Sequence, residues 1–230
     1  LWKERDLFSL WGKKASVRTE RFRLDSAGKL YDIGKDRGQR INVTAKHPAE
    51  AERLKVVLAK HRVQMTREYE PFKDRPFTVG YSRSTTLPAR DGIEHGSIER
   101  SAKAPNNSFF KNWKNEDDSI TWKVDIGQTA DYEATVYYTC AKQNTGVRIR
   151  IALDGYKETA EAEITQAFDS PLYDKSKERV AKSHYFQKDF KPFKLGTLRL
   201  EKGKGLLRLT APKIVGTGAI NVYSIRLDRK

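Results

Sequence analysis

Arginine and aromatic side chains in the second half of this sequence are the residues best suited to bind a polar ligand. Arg148 and Arg150 are two positions apart in the alternating run 147–153, so on a strand both side chains point to one face. Guanidinium groups donate paired hydrogen bonds to sulfate and carboxylate oxygens. Four aromatic residues are candidates for a platform beneath a sugar ring: Trp113, Tyr137, Tyr156 and Tyr173. Together these residues predict a surface for an anionic glycan, with an ordinary solvated strand face as the alternative.

Three consecutive acidic residues, Glu116, Asp117 and Asp118, are the candidates for a metal site. Ca²⁺ takes six to eight oxygen ligands, many of them from carboxylates, so the run favours a structural calcium. The alternative is a solvated turn before a strand that starts at Ile120. No acidic pair stands out among the thirty carboxylates, so no glycoside-hydrolase pair is identified.

Cysteine and histidine usage argues against further metal or nucleophile chemistry. Cys140 is the one cysteine, which excludes a disulfide or a cysteine-based zinc site within the chain. It ends an alternating run on the apolar side, so we expect a buried, inert thiol. The histidines lie far apart and without ligand spacing, at His47, His61, His95 and His184.

The charge balance favours anionic partners. The net charge is +15, and residues 1–90 carry 21 basic and 11 acidic residues, against 24 and 19 in residues 91–230. Such a field attracts nucleic acid, an anionic membrane surface or a sulfated polymer, although a basic surface without a partner is the alternative. No run of five consecutive basic residues and no helix-turn-helix or RNA-binding aromatic motif occurs, so nucleic acid ranks last.

The elements that would position these residues are mainly strands. Runs 120–126, 132–140 and 147–153 alternate between apolar and polar residues, and further short apolar runs follow at 197–200, 206–211 and 220–227. Glycines separate many of these runs. The pattern predicts a β-sandwich or jelly roll over residues 92–230, with Trp122 in its core and 160–183 as a long decorated loop.

The first part of the chain predicts a different, smaller unit. Residues 1–64 favour a small antiparallel sheet followed by one helix that begins at Pro48, with Glu50 and Glu52 in its first turn. Residues 65–91 contain three prolines among charges and predict a linker, with a short edge strand from Phe77 to Tyr81 that leads into the second unit. No run approaches the length of a membrane span, and no signal peptide is visible. Since Leu1 opens directly into an aromatic-rich run, we expect an internal start.

A motif series in the first unit carries a resemblance to a known family. The matching residues are Val17-Arg18-Thr19, Phe22-Arg23-Leu24, Leu30-Tyr31-Asp32-Ile33, Asp36, Gly38, Asn42-Val43 and His47-Pro48. In order and spacing over about 50 residues this series resembles the C-terminal subdomain of bacterial arylsulfatase-type sulfatases. Arg37 is a departure, because the family usually has proline there.

The second unit also carries a resemblance. The segments are 87–92, His95-Gly96, Arg100-Ser101, 104–113 and the strand at 120–124. They resemble an accessory β-domain appended to many environmental bacterial sulfatases. Such domains are similar to galactose-binding-type jelly rolls, which are often carbohydrate-binding modules.

The resemblance implies a parent sulfatase whose chemistry lies outside this chain. The family hydrolyses sulfate esters with a formylglycine made in a C/S-x-P-x-R motif, beside a bound calcium. Cys140 is followed by Ala141-Lys142-Gln143-Asn144, which lacks both the proline and the arginine. The resemblance therefore implies catalytic groups upstream of Leu1, no cofactor in this chain, no sulfatase activity for the chain alone, and a periplasmic or extracellular location.

Two other functional classes stay open beside that interpretation. The main hypothesis is that the chain completes an N-terminal sulfatase catalytic portion and holds a sulfated or anionic carbohydrate. A free-standing carbohydrate-binding module is the first alternative, and a basic nucleic-acid-binding protein is the second.

Overall fold

The computed structural model describes residues 5–69, 74–103, 106–174, 176, 179 and 185–230. Within these residues the protein is mainly β, with sixteen strands and one α-helix, which confirms the predicted fold class. The chain forms two compact units, Leu1–Arg75 and Pro76–Lys230.

The first unit is a four-stranded antiparallel sheet with one helix, α1. Its strands follow chain order and are β1 (Leu7–Trp11), β2 (Lys14–Arg18), β3 (Phe22–Leu24) and β4 (Leu30–Asp32). Its small core consists of Val17, Leu24, Leu30, Ala51 and Leu54. Trp11, the last residue of β1, lies outside that core, since it is 80% exposed, whereas Phe8 of the same strand packs against it.

Helix α1 (Pro48–Tyr69) begins at the predicted residue and continues into the segment 65–91 predicted as a linker. Residues 49–69 contain neither glycine nor proline, so nothing in the sequence ends the helix before that segment. Pro71 disfavours helical backbone in the residue before it, which accounts for the end near Tyr69. The first part of the predicted linker is therefore helical.

The second unit is a β-sandwich of two six-stranded sheets in the described part of the chain. The strands of the unit are β5 (Phe77–Val79), β6 (Ser84–Pro88), β7 (Ile93–His95), β8 (Glu99–Arg100), β9 (Phe110–Lys111), β10 (Ser119–Ile126), β11 (Ala130–Thr139), β12 (Arg148–Leu153), β13 (Thr159–Glu163), β14 (Lys191–Leu200), β15 (Gly203–Lys213) and β16 (Asn221–Arg229). One sheet has the order β13-β12-β15-β10-β5, with β7 also paired to β10. The other has the order β14-β11-β16-β9-β8, with β6 also paired to β16.

The alternating runs face the core as their pattern predicts. Trp122, Ile149 and Ile151 are at most 1% exposed, and the apolar side chains of the two sheets form one continuous cluster. Strand β13 lies inside the segment predicted as a loop. Its sequence, TAEAE, alternates, but alanine and glutamate are poor strand formers, and the strand pairs with β12.

Two strands also lie in the segment predicted as a linker. Strand β5 pairs with β10 and β6 pairs with β16, one on each sheet. Val79 and Leu87 are fully buried as a result. Strand β5 lies within the edge strand expected at Phe77–Tyr81. Strand β6 has no clear alternating pattern, and its pairing with β16 rather than its local sequence defines it.

Candidate functional site

A groove lined by aromatic residues lies on the outer face of the sheet that contains β11 and β16. Its volume is about 300 Å³. Its walls are Ser108, Tyr137, Tyr173, Phe186, Gln187, Lys188, Asp189, Phe190 and Tyr223. Strands β11 and β16 supply the floor, and the segment before β14 supplies one wall. A concave site with aromatic walls and a few polar groups is typical of a small-ligand site.

Tyr223 lies at a β-bulge in β16. Tyr137 pairs with Ser224 and Tyr138 pairs with Val222, so Tyr223 is the extra residue between them. A bulge redirects a side chain out of the regular alternation. Tyr223 is 46% exposed although both of its neighbours are buried.

Phe190 backs the Tyr223 ring. The two ring centroids are 5.0 Å apart and the planes are inclined by 23°. On its other side Phe190 lies 5.5 Å from the ring of Phe109, which is buried. This row of rings links the exposed Tyr223 to the core and restricts its motion.

Lys188 lies against the same aromatic row. Its Nζ is 5.2 Å from the Phe109 centroid and 5.8 Å from the Phe190 centroid, within the range of a cation–π contact. Burial lowers the pKa of Lys188, and the Asp169 carboxylate opposes that shift only in part. The Lys188 side chain is half-buried, so its ammonium group lies at the edge of the groove next to the aromatic rings.

Hydrogen bonds hold the wall of the groove together. The Tyr173 hydroxyl donates to the Asp189 carboxylate, and the Tyr173 amide donates to the Gln187 carbonyl over 2.8 Å. The Asp189 amide donates to Ser170 Oγ over 3.2 Å, and Ser108 donates to the Phe186 carbonyl. The hydrogen bond to Asp189 raises the pKa of Tyr173.

The structure brings together two of the four predicted platform residues. Tyr137 and Tyr173 both line the groove. Trp113 does not, since it is only 3% exposed and its Nε1 donates to the Asn115 carbonyl over 3.2 Å. The Trp113 ring is part of the core and offers no face to a ligand, which corrects its placement on the platform. Tyr156 is 47% exposed but lies on the turn after β12, in the other sheet.

Arg148 and Arg150 point to one face of β12, as their spacing predicts. Both guanidinium groups pair with Glu161 on the neighbouring strand β13, at 3.0 Å from Arg148 and 2.5 Å from Arg150. A carboxylate of the protein itself thus takes the position foreseen for a ligand oxyanion. The arginines belong to the opposite sheet from the groove, so they and the tyrosines do not form one site.

The acidic run does not fit a calcium ion. Asp118 is buried, and its carboxylate accepts hydrogen bonds from the amides of Ser97 and Asn115, each over 3.0 Å. Burial acts to raise the pKa of Asp118, but the hydrogen bonds from Ser97 and Asn115 outweigh it and lower the pKa. Glu116 accepts the Ile214 amide over 3.0 Å. Two of the three carboxylates thus serve protein donors and are not turned toward a common cation.

Where the structure describes them, the cysteine and the histidines are buried or packed against other side chains. Cys140 is 1% exposed, and burial raises the pKa of its thiol to about 11. His61 stacks on Phe8 at 3.8 Å, and His95 Nε2 lies 2.9 Å from Thr121 Oγ1. His184 lies outside the described residues. Among the described residues no group of three or more His, Cys, Asp or Glu side chains is placed to hold a metal ion.

Seven of the nine groove residues are not among the residues predicted from the sequence, including Lys188, Phe190 and Tyr223. The segment 185–193 contains four aromatic residues interleaved with Lys188 and Asp189, a signal that could have pointed to a ligand wall. Tyr223 gave no such signal, because the bulge depends on pairing between β11 and β16.

Comparisons with known proteins find solved structures that are distantly similar to this chain. No family model and no curated protein matches the chain. Among solved structures it is similar to the Podospora anserina GH26-CBM35 β-(1,4)-mannanase, at 15% identity and a TM-score of 0.44, over 64% of this chain and 28% of that one. It is also similar to the C-terminal CBM6 of LamC from Zobellia galactanivorans, at 10% identity and a TM-score of 0.43, over 64% of this chain and 99% of that one.

A third similar structure is a carbohydrate-binding module from Cellvibrio mixtus lichenase 5A in complex with cellotriose. The identity is 14% and the TM-score 0.42, over 64% of this chain and 97% of that one. Separately, no helix in the described part of the chain has the length and hydrophobicity that a membrane span requires.

Proposed function

We propose that the second unit is a carbohydrate-binding module and that the aromatic groove is its binding site. The observation that carries the proposal is the exposed Tyr223 ring, turned outward by a β-bulge and backed by Phe190 at 5.0 Å. Sugar rings have an apolar C–H face and a rim of hydroxyls. A fixed aromatic ring covers the first, and convergent polar side chains bind the second.

The polar groups of the groove suit a hydroxyl-rich ligand. Gln187 supplies amide donors and an acceptor, Lys188 supplies ammonium donors, and Asp189 supplies carboxylate acceptors. Because these three residues are consecutive and Tyr173 is hydrogen-bonded to two of them, the polar wall is held in place before a ligand arrives. A prearranged wall reduces the entropy lost on binding.

The positive net charge of the chain favours anionic glycans as ligands. The lysine and aspartate of the groove balance each other, so local charge does not select for an anion. The net charge of +15 acts at longer range and raises the encounter rate with a polyanion. Sulfated or uronic-acid polymers should therefore bind with a strong salt dependence, while neutral glycans in the same groove should show almost none.

Tyr223→Ala tests the site. Soluble polysaccharides, both neutral and sulfated, are incorporated into native gels, and retardation of the full chain identifies binders. For a binding polysaccharide, Tyr223→Ala should weaken affinity by about thirtyfold, since loss of a central aromatic contact costs about 2 kcal/mol.

Tyr156→Ala is the matched control. It removes a tyrosine of nearly equal exposure, 47% against 46%, from outside the groove, and should leave retardation unchanged. Equal loss in both variants, or retention of full binding by Tyr223→Ala, would overturn the placement of the site.

For the first unit we propose, as a second function, that it completes the catalytic domain of a sulfatase. The specific observation is that residues 17–48, which carry the family resemblance, form strands β2, β3 and β4 and then the start of α1 in the order the resemblance implies. The N-terminal catalytic portion would be the partner and would hold the formylglycine and calcium. A periplasmic or extracellular location is part of the same proposal.

This second proposal predicts that the purified chain cleaves no aryl sulfate. The chain has no C/S-x-P-x-R motif, and its one thiol is buried with a pKa of about 11. Hydrolysis of 4-nitrophenyl sulfate is followed at 405 nm, with Cys140→Ala as the control for a contaminating enzyme. Turnover that co-purifies with the chain and is lost in Cys140→Ala would contradict the proposal.

A further inference from the structure

Three arginines of the first unit face a pocket of about 440 Å³. The pocket is lined by Arg18, Glu20, Arg23, Ile33, Gly34, Arg37 and Gln39. Arg18 ends β2, Arg23 is in the middle of β3, and Arg37 is on the turn after β4. Three separate pieces of chain thus direct positive charge to one place.

The strand register sets two of the arginines directly opposite each other. In the antiparallel pair of β2 and β3, Arg18 is the partner of Arg23. Side chains in directly opposite positions are about 5 Å apart at Cβ, and like charges there are destabilising. An anion between the two guanidinium groups removes that repulsion.

Other arginines of the first unit are neutralised by ion pairs with carboxylates. Arg21 pairs with Asp32 at 2.9 Å, and Arg53 pairs with Asp6 and Glu50 at 3.1 and 2.9 Å. Within the described residues Arg18, Arg23 and Arg37 form no ion pair, and Glu20, although it lines the pocket, forms none either. The pocket keeps an excess of two positive charges.

Gln39 restrains the side chain of Arg23, one of the three arginines that line the pocket. It is one of the few residues other than glycine with a positive φ, 53°, and its side-chain oxygen accepts a hydrogen bond from Arg23. Arg23 also donates to Ser16 Oγ over 3.4 Å. Half-buried and tied on two sides, Arg23 presents a guanidinium of restricted orientation, whereas Arg18 and Arg37 are exposed and can close on a ligand.

We propose that Arg18, Arg23 and Arg37 form a binding site for a tetrahedral oxyanion, a sulfate or phosphate group. Guanidinium groups bind the oxygens of such groups in pairs, and three of them can contact several oxygens at once. The site belongs to the first unit and is independent of the proposed glycan groove. Sulfate and phosphate esters share this chemistry, and the test separates them.

The test uses isothermal titration of the full chain with sodium sulfate at constant ionic strength, balanced with sodium chloride. Saturable binding of one sulfate per chain is expected. Arg18→Gln and Arg37→Gln should each weaken sulfate binding about tenfold, because the loss of one hydrogen bond to a charged group lowers an affinity by about that much. Arg23 is left intact, since it also holds Gln39.

Arg62→Gln is the matched control, because it removes the same charge from an exposed position on α1. It should leave sulfate binding unchanged, as should Tyr223→Ala, which separates this site from the groove. Titration with glucose 6-sulfate and glucose 6-phosphate then shows which ester is bound more tightly. No saturable binding of any of these anions, or an equal loss in Arg62→Gln, would overturn the proposal.

Discussion

At the scale of single residues, exposure decides which aromatic rings can take a ligand. Trp113 is 3% exposed and Tyr223 is 46% exposed, and only the second has a free face. Composition alone marks tryptophan as the better sugar platform, but the Trp113 indole supports the core and its N–H serves a backbone carbonyl. The outward position of Tyr223 depends on a partner strand far away in sequence, so no local pattern could reveal it.

The hydrogen bonds around Asp118 show why its carboxylate is structural. Four neighbouring donors, the Ser97 amide and hydroxyl and the amides of Lys114 and Asn115, converge on its oxygens. Gly96 also has to be glycine here, because its φ is +79° and a Cβ would lie 1.8 Å from an Asp118 oxygen. The sequence shows three acids in a row and cannot show that the third is buried under amides.

Asp118→Asn should lower the free energy of unfolding by about 2 kcal/mol, since hydrogen bonds to a charged acceptor are replaced by weaker or mismatched ones. The pKa of Asp118 is lowered in the folded state, so its stabilisation is present above the unfolded carboxyl pKa of about 4 and is lost as the pH falls through the lowered value. Urea unfolding of both proteins at pH 7 and at low pH measures this.

Asp117→Asn provides the comparison for that experiment, because Asp117 is the exposed neighbour. It should change the free energy of unfolding by less than about 0.5 kcal/mol. A stability difference between Asp118→Asn and the parent chain that grows as the pH falls would contradict a lowered pKa for Asp118 in the folded state.

At the scale of elements, strands with a regular apolar–polar alternation follow from the sequence. The alternation in β10, β11 and β12 predicts both their existence and their buried faces. Strand β6 lacks such alternation and depends on its pairing with β16, whereas the sequence does predict an edge strand where β5 forms. A domain boundary at residue 92, as composition predicts, would exclude strands β5 and β6 from the sandwich to which they belong.

Deleting 76–91 should therefore destabilise the sandwich strongly. Fragment 76–230 should show cooperative urea unfolding, whereas fragment 92–230 loses fully buried Val79 and Leu87 together with the pairing of β5 and β6. The two side chains alone account for about 3–6 kcal/mol, a large part of the stability of a typical domain. Equal unfolding midpoints for the two fragments would contradict the assigned pairing.

At the scale of the whole molecule, two compact units carry a shared excess of positive charge. The net charge of +15 is visible in the sequence, and it favours anionic partners in general. It could not show that Arg148 and Arg150 are paired with Glu161 while Arg18, Arg23 and Arg37 form no ion pair in the described residues. Which arginines are available depends on cross-strand register, which emerges only with the fold.

The most direct test of the central claim is to map a bound glycan onto the chain by amide chemical shifts. The ¹⁵N-labelled full chain is titrated with an oligosaccharide of the polysaccharide that it retains best. If the glycan binds in the groove, saturable shifts are expected at the residues that line it, Ser108, Tyr137, Tyr173, 187–190 and Tyr223. Shifts confined to Arg148, Arg150 and Tyr156 on the other sheet, with the groove unmoved, would contradict that claim.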